Sequence, residues 1–208
     1  MIAQFATALS MIFIFLTLKN PMEFMDSSTR VFNREGFIEV MEEKISKNGK
    51  FAVVGVQIEG IKYVSERYGA ENGSSLLNST AEFLKMIDRR CMVFHISAVT
   101  KFAILVPEEV NADMIVDKVR RRFNEAFYIN EAEVSIWAHI SEFNYPEDVK
   151  SVQDALDTID YVTIQASETK EQQIIYGSEF ILQKKRRERE IEQALDICEA
   201  LVRSGAVD

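Results

Sequence analysis

Cysteine and histidine are scarce in this chain. Cys91 and Cys198 are the only thiols, and His95 and His139 the only imidazoles. The cysteines form no spaced metal motif and suggest no disulfide framework, so a reducing, cytosolic setting fits them. Both histidines fall in strand-like runs. They read as packed or half-exposed side chains rather than ligands, because metal ligands come in groups. An excess of cations is also missing. The formal net charge of −9 argues against a nucleic-acid partner, since phosphate backbones need clustered positive charge. Prolines are few, and Pro21, Pro107 and Pro146 all fall between the elements read below. No internal repeat or low-complexity stretch is visible. What remains is globular in character: 208 residues, 47% hydrophobic and 27% charged, suit one domain with helices added at its ends.

Residues 1–18 carry no charged side chain. From Ile2 onward they would span about 26 Å as a helix, the short limit for crossing a bilayer. No basic region precedes them and no small-residue cleavage site follows, which argues against a cleaved signal peptide. The expectation is a membrane-spanning or membrane-anchoring helix over residues 1–20. Lys19, Arg30, Arg34 and Lys44 would place the rest of the chain on the cytoplasmic side. Gln4, Thr7 and Ser10 keep a buried amphipathic helix open as the alternative.

The body, residues 21–177, alternates strand and helix patterns. Residues 51–58 form a β-rich apolar run suited to a central strand. Residues 61–68 predict a short helix stopped at Gly69, and residues 74–87 a longer one with Leu76, Leu77, Thr80, Ala81, Leu84 and Ile87 on one face. Residues 92–96 and 102–106 predict a hairpin whose turn holds residues 98–101. Asn111 is placed to cap a helix running to Phe123. Val134, Ile136, Ala138 and Ile140 alternate as in a strand, and residues 151–166 are again helical. Residues 178–208 predict a long charged C-terminal helix with an interrupted apolar stripe at Ile181, Ile191, Leu195, Ile197 and Leu201. Its basic run at residues 184–187 reads as a solvated face.

Several of these segments carry a family pattern. The run DSSTRVFNREGF from Asp26 resembles D-x-L-T-G-L-x-N-R-x-x-F, and QIEGIKYVSERYGA from Gln57 resembles D-x-D-x-F-K-x-x-N-D-x-Y-G-H. GSSLL from Gly73 follows at the spacing of G-D-x-L-L. The chain is thereby similar to the GGDEF domain family, which makes cyclic di-GMP from two GTP. The resemblance runs from about Asp26 to Tyr176. It implies an α+β palm-like fold related to nucleotide cyclases, with a mainly antiparallel five-stranded sheet flanked by helices. Asn33, Phe37, Lys62, Tyr68, Gly69, Gly73, Leu76, Leu77, Phe102, Pro107, Pro146 and Asp160 match the pattern, and each has a structural reading as core, turn, cap or salt bridge.

The positions that carry chemistry in the family depart from it. The signature G-G-D/E-E-F corresponds to Ala98, Val99, Thr100, Lys101 and Phe102. Phosphoryl transfer needs divalent metal, and magnesium needs hard anionic oxygens. The resemblance places those ligands at Gln57 and Thr100, both neutral, and leaves Glu59 as the one acid of D-x-D. Lys101 would put a cation beside the metal position, a Coulomb penalty on the order of several kcal/mol at ~4 Å. The guanine-reading Asn and Asp correspond to Ser65 and Ser74, whose short hydroxyls cannot make the two-pronged contact. The phosphate-binding Lys and Arg correspond to Ser167 and Glu171. Ala98 and Val99 replace glycines that would admit the nucleotide's close approach. The inhibitory R-x-x-D motif retains Arg89 but has Met92 in place of its acid.

The resemblance with these departures implies a catalytically inactive GGDEF-like signalling or interaction module with no cofactor. It would work as a homodimer or through a C-terminal or partner output domain. A GTP-binding regulator of a phosphodiesterase partner that does not turn the nucleotide over is the alternative reading, and an active diguanylate cyclase is a second.

Overall fold

The computed structural model describes residues 21–97, 100–129, 131–168 and 174–177, with residues 186, 189 and 193. The proposed membrane helix over residues 1–20 lies outside that range, as does nearly all of the expected C-terminal helix. Among the described residues no helix is long and apolar enough to cross a membrane.

A five-stranded sheet runs in the order β2-β3-β1-β6-β7. Its strands are β1 (Phe51–Glu59), β2 (Met92–Ser97), β3 (Lys101–Pro107), β6 (Trp137–Tyr145) and β7 (Ile174–Tyr176). The pairs β1–β3, β1–β6 and β2–β3 are antiparallel, and only β7 runs parallel to its neighbour. β1 is buried along eight of its nine residues, as expected of a central strand covered on both faces. Its even residues Ala52, Val54, Val56 and Ile58 meet one core, with α2 (Ile61–Tyr68), α3 (Ala70–Ile87) and α4 (Ala112–Asn124). Its odd residues Phe51 and Val53 meet a second core, with α1 (Arg34–Ser46) and α5 (Val152–Glu168).

The expected hairpin, the short helix at 61–68 and the capped helix after Asn111 are all present. Asn111 Oδ1 accepts from the Met114 N–H at 3.3 Å, satisfying one of the helix's free donors. α3 begins at Ala70, four residues before the expected start at Ser74, because Gly69 ends α2 and at once caps α3. The strand expected across residues 134–140 is broken. Val134 belongs to β5 (Ala132–Val134), which pairs with β4 (Phe127–Ile129) in a separate hairpin, and β6 starts at Trp137. The break lies where Ser135 and Ile136 cross Gly60. Gly60 has φ +95, and a Cβ there would sit 2.6 Å from the Ser135 carbonyl oxygen.

α1 had no counterpart in the sequence reading. Only Phe37 and Met41 supply large buried side chains, among six acids and bases, so its amphipathic signal is weak. Asn33 starts it, accepting from the Gly36 N–H at 2.9 Å. The preceding segment lies along the outer edge of β2. Phe32 N–H donates to the Val93 carbonyl and His95 N–H to the Phe32 carbonyl, covering backbone that an edge strand would leave open.

Candidate functional site

The β2–β3 hairpin brings Thr100 and Lys101 against β1. Gln57 lies opposite Lys101 in the register, and the Ile58 N–H donates to the Thr100 carbonyl at 2.9 Å. The register of β2 against β3 shifts between His95 and Ser97, the irregularity of a bulge beside the turn. The two positions read as metal ligands, Gln57 and Thr100, are therefore brought together. They bond to each other: Gln57 Nε2 donates to Thr100 Oγ1 at 2.9 Å and to Glu59 Oε1 at 3.2 Å. An amide N–H thus occupies the space between one carboxylate and one hydroxyl. That donor set does not fit a magnesium ion, which takes anionic oxygens and is repelled by an amide donor. Among the described residues no group of three or more acids, histidines and cysteines is positioned for a metal.

Lys101, expected to put a cation beside the metal position, is held by an ion pair. Its Nζ lies 2.5 Å from Asp160 Oδ1 on α5, and its side chain is 13% exposed. The ion pair joins residues far apart in sequence and fastens the hairpin to α5. Asp160 matched the family pattern without a chemical role, and only the packing of α5 on the sheet reveals its partner.

A polar floor continues beyond Gln57. His139 lies opposite Gln57 in β6, Trp137 opposite Glu59 and Ser141 opposite Gly55, so these side chains share a face. Among the described residues, Gln57 Oε1, Trp137 Nε1, both ring nitrogens of His139 and Ser141 Oγ are buried without a hydrogen-bond partner. Burial pushes the His139 imidazole below its ordinary value, with Glu59 acting weakly the other way. His139 is therefore packed, as expected, yet it is neither satisfied nor half-exposed.

The other site positions are dispersed. Ser65 turns its hydroxyl back to the Ile61 carbonyl at 3.0 Å, as a helix-interior serine does. Gly73 packs directly on it: a Cβ at Gly73 would fall 1.9 Å from Ser65 Oγ. The next residue, Ser74, is exposed. Lys62 is exposed and pairs loosely with Glu66 at 3.9 Å. Ala98, Val99 and Glu171 lie outside the described residues, and Ser167 is described only as part of the α5 backbone.

At the edge of the sheet, Arg90 forms a two-pronged bond to Asp88, whose carboxyl it pulls down to about 2. Arg89 instead lines a groove of about 450 Å³ with Arg30, Lys85 and Met92. Cys91 in the same groove is a free thiol, pushed up to about 11 chiefly by burial and so protonated at neutral pH. An interaction the sequence did not announce joins Asp26 to His95, with Oδ2 and Nδ1 3.3 Å apart. Burial opposes the Asp26 charge, but the hydroxyls of Ser28 and Thr29, the Thr29 N–H and His95 hold its carboxyl well below the usual range.

A palm-like α+β sheet with a hairpin and two helices beside its central strand is the architecture of nucleotide-cyclase domains. Within that class, the family described as "Diguanylate cyclase, GGDEF domain" matches residues 23–173, and the chain belongs to it. The bifunctional diguanylate cyclase/cyclic di-GMP phosphodiesterase MucR of Pseudomonas aeruginosa is 26% identical over 129 residues, covering 59% of this chain and 19% of MucR. The chain therefore spans about a fifth of that relative's length. The fold is also that of diguanylate cyclase SiaD, solved in complex with its activator SiaC from Pseudomonas aeruginosa. That match has a TM-score of 0.64 at 14% identity, over 84% of this chain and 70% of SiaD. The GGDEF domain of YfiN (TpbB) from the same organism gives 0.64 at 20% identity, over 76% of this chain and 99% of that one.

Proposed function

We propose that this chain is a GGDEF-family module of cyclic di-GMP signalling that makes no cyclic di-GMP and acts through contacts with a partner or output domain. One observation carries the reading: the Gln57 amide donates to both Thr100 and Glu59 where the reaction needs a cation held by carboxylates. The Lys101–Asp160 pair supports it, because it gives the hairpin a structural partner in α5, the helix that leads toward the C-terminal segment. The residues at the metal (Gln57, Thr100), base (Ser65, Ser74) and phosphate (Ser167, Glu171) positions all depart from the family's chemistry together, so the loss is of a whole constellation. SiaD, solved with an activator protein, shows a relative of this fold engaged by a partner. The uncharged residues 1–18 support placement of the module at the cytoplasmic face of a membrane.

The test incubates purified protein with GTP and Mg²⁺ or Mn²⁺ and follows product by mass spectrometry. No cyclic di-GMP is expected, and the variant carrying Gln57→Asp and Thr100→Asp is expected to stay inactive. Turnover by the wild-type chain, lost on Gln57→Ala, would sink the proposal. A second reading, a module that holds GTP without turning it over, draws on Gln57 Oε1, buried and without a partner among the described residues. A GTP-dependent rise in melting temperature without product would favour it.

A further inference from the structure

The outer faces of α3 and α4 meet in a groove of about 340 Å³ that the candidate site does not use. Its apolar side is formed by Phe83, Met86 and Ile87 near the end of α3. Met86 is 74% exposed, the most exposed of the large hydrophobic side chains among the described residues. Lys118, Arg121 and Arg122 from α4 form the opposite side. The cations are not equivalent. Arg122 lies 3.8 Å from the centroid of the Phe127 ring and 3.9 Å from Glu125, which also lines the groove, so its head group is held in place. Lys118 Nζ donates to the Ile87 carbonyl at 3.1 Å, which ties the two helices together. Neither Lys118 nor Arg121 has a carboxylate within ion-pair distance among the described residues, although nearby Arg120 does in Asp117. The chain as a whole carries a net charge of −9, whereas the lining of this groove holds three cations and one carboxylate, Glu125.

We propose that this groove docks an acidic amphipathic helix of a partner protein. The shape favours a helix: a concave slot between two helices accepts a third along its length, with an apolar residue seated on Met86 and Phe83. Methionine suits such a seat because its unbranched thioether adapts to what it meets. The charge selects an acidic helix. Lys118 and Arg121 are three residues apart on α4, so their heads present neighbouring positions on one flank. Carboxylates spaced by one helical turn on the partner meet both at once. A second copy of this chain is the weaker occupant, because two bodies of net charge −9 repel at low salt.

This surface supplies partner chemistry for the interaction module proposed above and rests on that reading. The test uses the full chain with ¹³C-methyl methionine. The probe is a synthetic helical peptide with leucines on one face and glutamates flanking them, compared with the same peptide carrying lysines for the glutamates. Vesicles of phosphatidylglycerol serve as a third probe. The acidic peptide is expected to move the Met86 methyl resonance, and the lysine peptide to leave it unmoved. Arg121→Glu is expected to weaken the acidic peptide by about tenfold with an unchanged melting temperature, because its side chain is exposed, and Lys118→Glu to weaken it similarly with a lower melting temperature, because the bond to the Ile87 carbonyl is lost. Binding of both peptides alike, or no shift at Met86, overturns the proposal. A Met86 shift with vesicles that Arg121→Glu abolishes, without one for the acidic peptide, assigns the groove to an anionic membrane and also overturns it. Assay of the same preparation for cyclic di-GMP separates the two claims. Product with intact peptide binding overturns the inactive-module reading alone, and no product with no binding overturns the groove alone.

Discussion

On the face of the sheet covered by α2, α3 and α4, the inward residues of β1 are Ala52, Val54, Val56 and Ile58, apolar throughout. On the face covered by α1 and α5 the series runs Phe51, Val53, Gly55, Gln57 and Glu59, and it turns polar toward the signature hairpin. The same strand serves both. The first face meets apolar partners at its hairpin end, with Phe102, Ile104, Ala138 and Ile140 at neighbouring positions, and Glu142 and Asn144 lie opposite Val54 and Ala52 at the other. The second is apolar at Phe51 and Val53, where Leu105 and Phe143 lie opposite Val53. Near the hairpin it holds Gln57 Oε1, both His139 ring nitrogens and Ser141 Oγ, buried without partners among the described residues. A buried polar atom without a partner costs about 1–3 kcal/mol, so folding alone does not favour that half-face. The first face accounts for the stability of the fold, and the second carries a polar site that packing does not explain.

The largest expected effect lies on the apolar face. Phe102 is fully buried and stacks on His95 at 4.8 Å between ring centroids. Phe102→Ala should cost about 3–5 kcal/mol in urea unfolding. A loss below about 1 kcal/mol would mean that this face is not the main support of the fold.

On the polar face the sign should reverse. His139→Leu removes two unpartnered nitrogens and should stabilise the protein by about 1–3 kcal/mol at pH 7. The pH dependence sharpens this. Burial depresses the His139 pKa in the folded state, so between the folded value and the unfolded value near 6.5 only the unfolded chain binds the proton. Its stability contribution is full above pH ~6.5 and is lost as pH falls below it, at up to about 1.4 kcal/mol per pH unit. The leucine variant should lack that component in denaturant titrations from pH 7 to 5. Equal slopes would show that the imidazole is satisfied in solution.

A smaller effect is expected where the polar face reaches solvent. Asp160 is 60% exposed on its side chain while Lys101 is 13% exposed, so the pair is partly screened. Asp160→Asn should cost about 1 kcal/mol or less, and the cost should shrink as salt is raised. A salt-independent loss would point to packing of α5 rather than charge. Least of all should come from Lys62→Ala, because its pair with Glu66 is exposed on both sides and 3.9 Å long. The expected change is about 0.3–0.5 kcal/mol, and a larger one would give Lys62 a role that no described contact supports.

Sequence by itself determined the order of the elements and their family. The apolar run of β1, the Asn111 cap and the turn glycine Gly69 are local signals, readable because capping, burial on both faces and positive φ each demand particular residue types. The departures from the family motif at Gln57, Thr100, Lys101, Ser65 and Ser74 were equally legible, as identities at spaced positions. Tertiary structure alone decided what those residues do. That Gln57 donates to Thr100 depends on strand register, that Lys101 pairs with Asp160 depends on how α5 lies across the sheet, and that His139 sits unpartnered opposite Gln57 depends on the β1–β6 pairing. α1 and the break between β5 and β6 were missed for the same reason: an acid-rich helix and a strand interrupted beside Gly60 are stabilised by distant contacts that leave little local pattern. A chain's propensities act over a few residues, whereas the partner of a buried polar group is chosen by elements that meet only when the sheet is assembled.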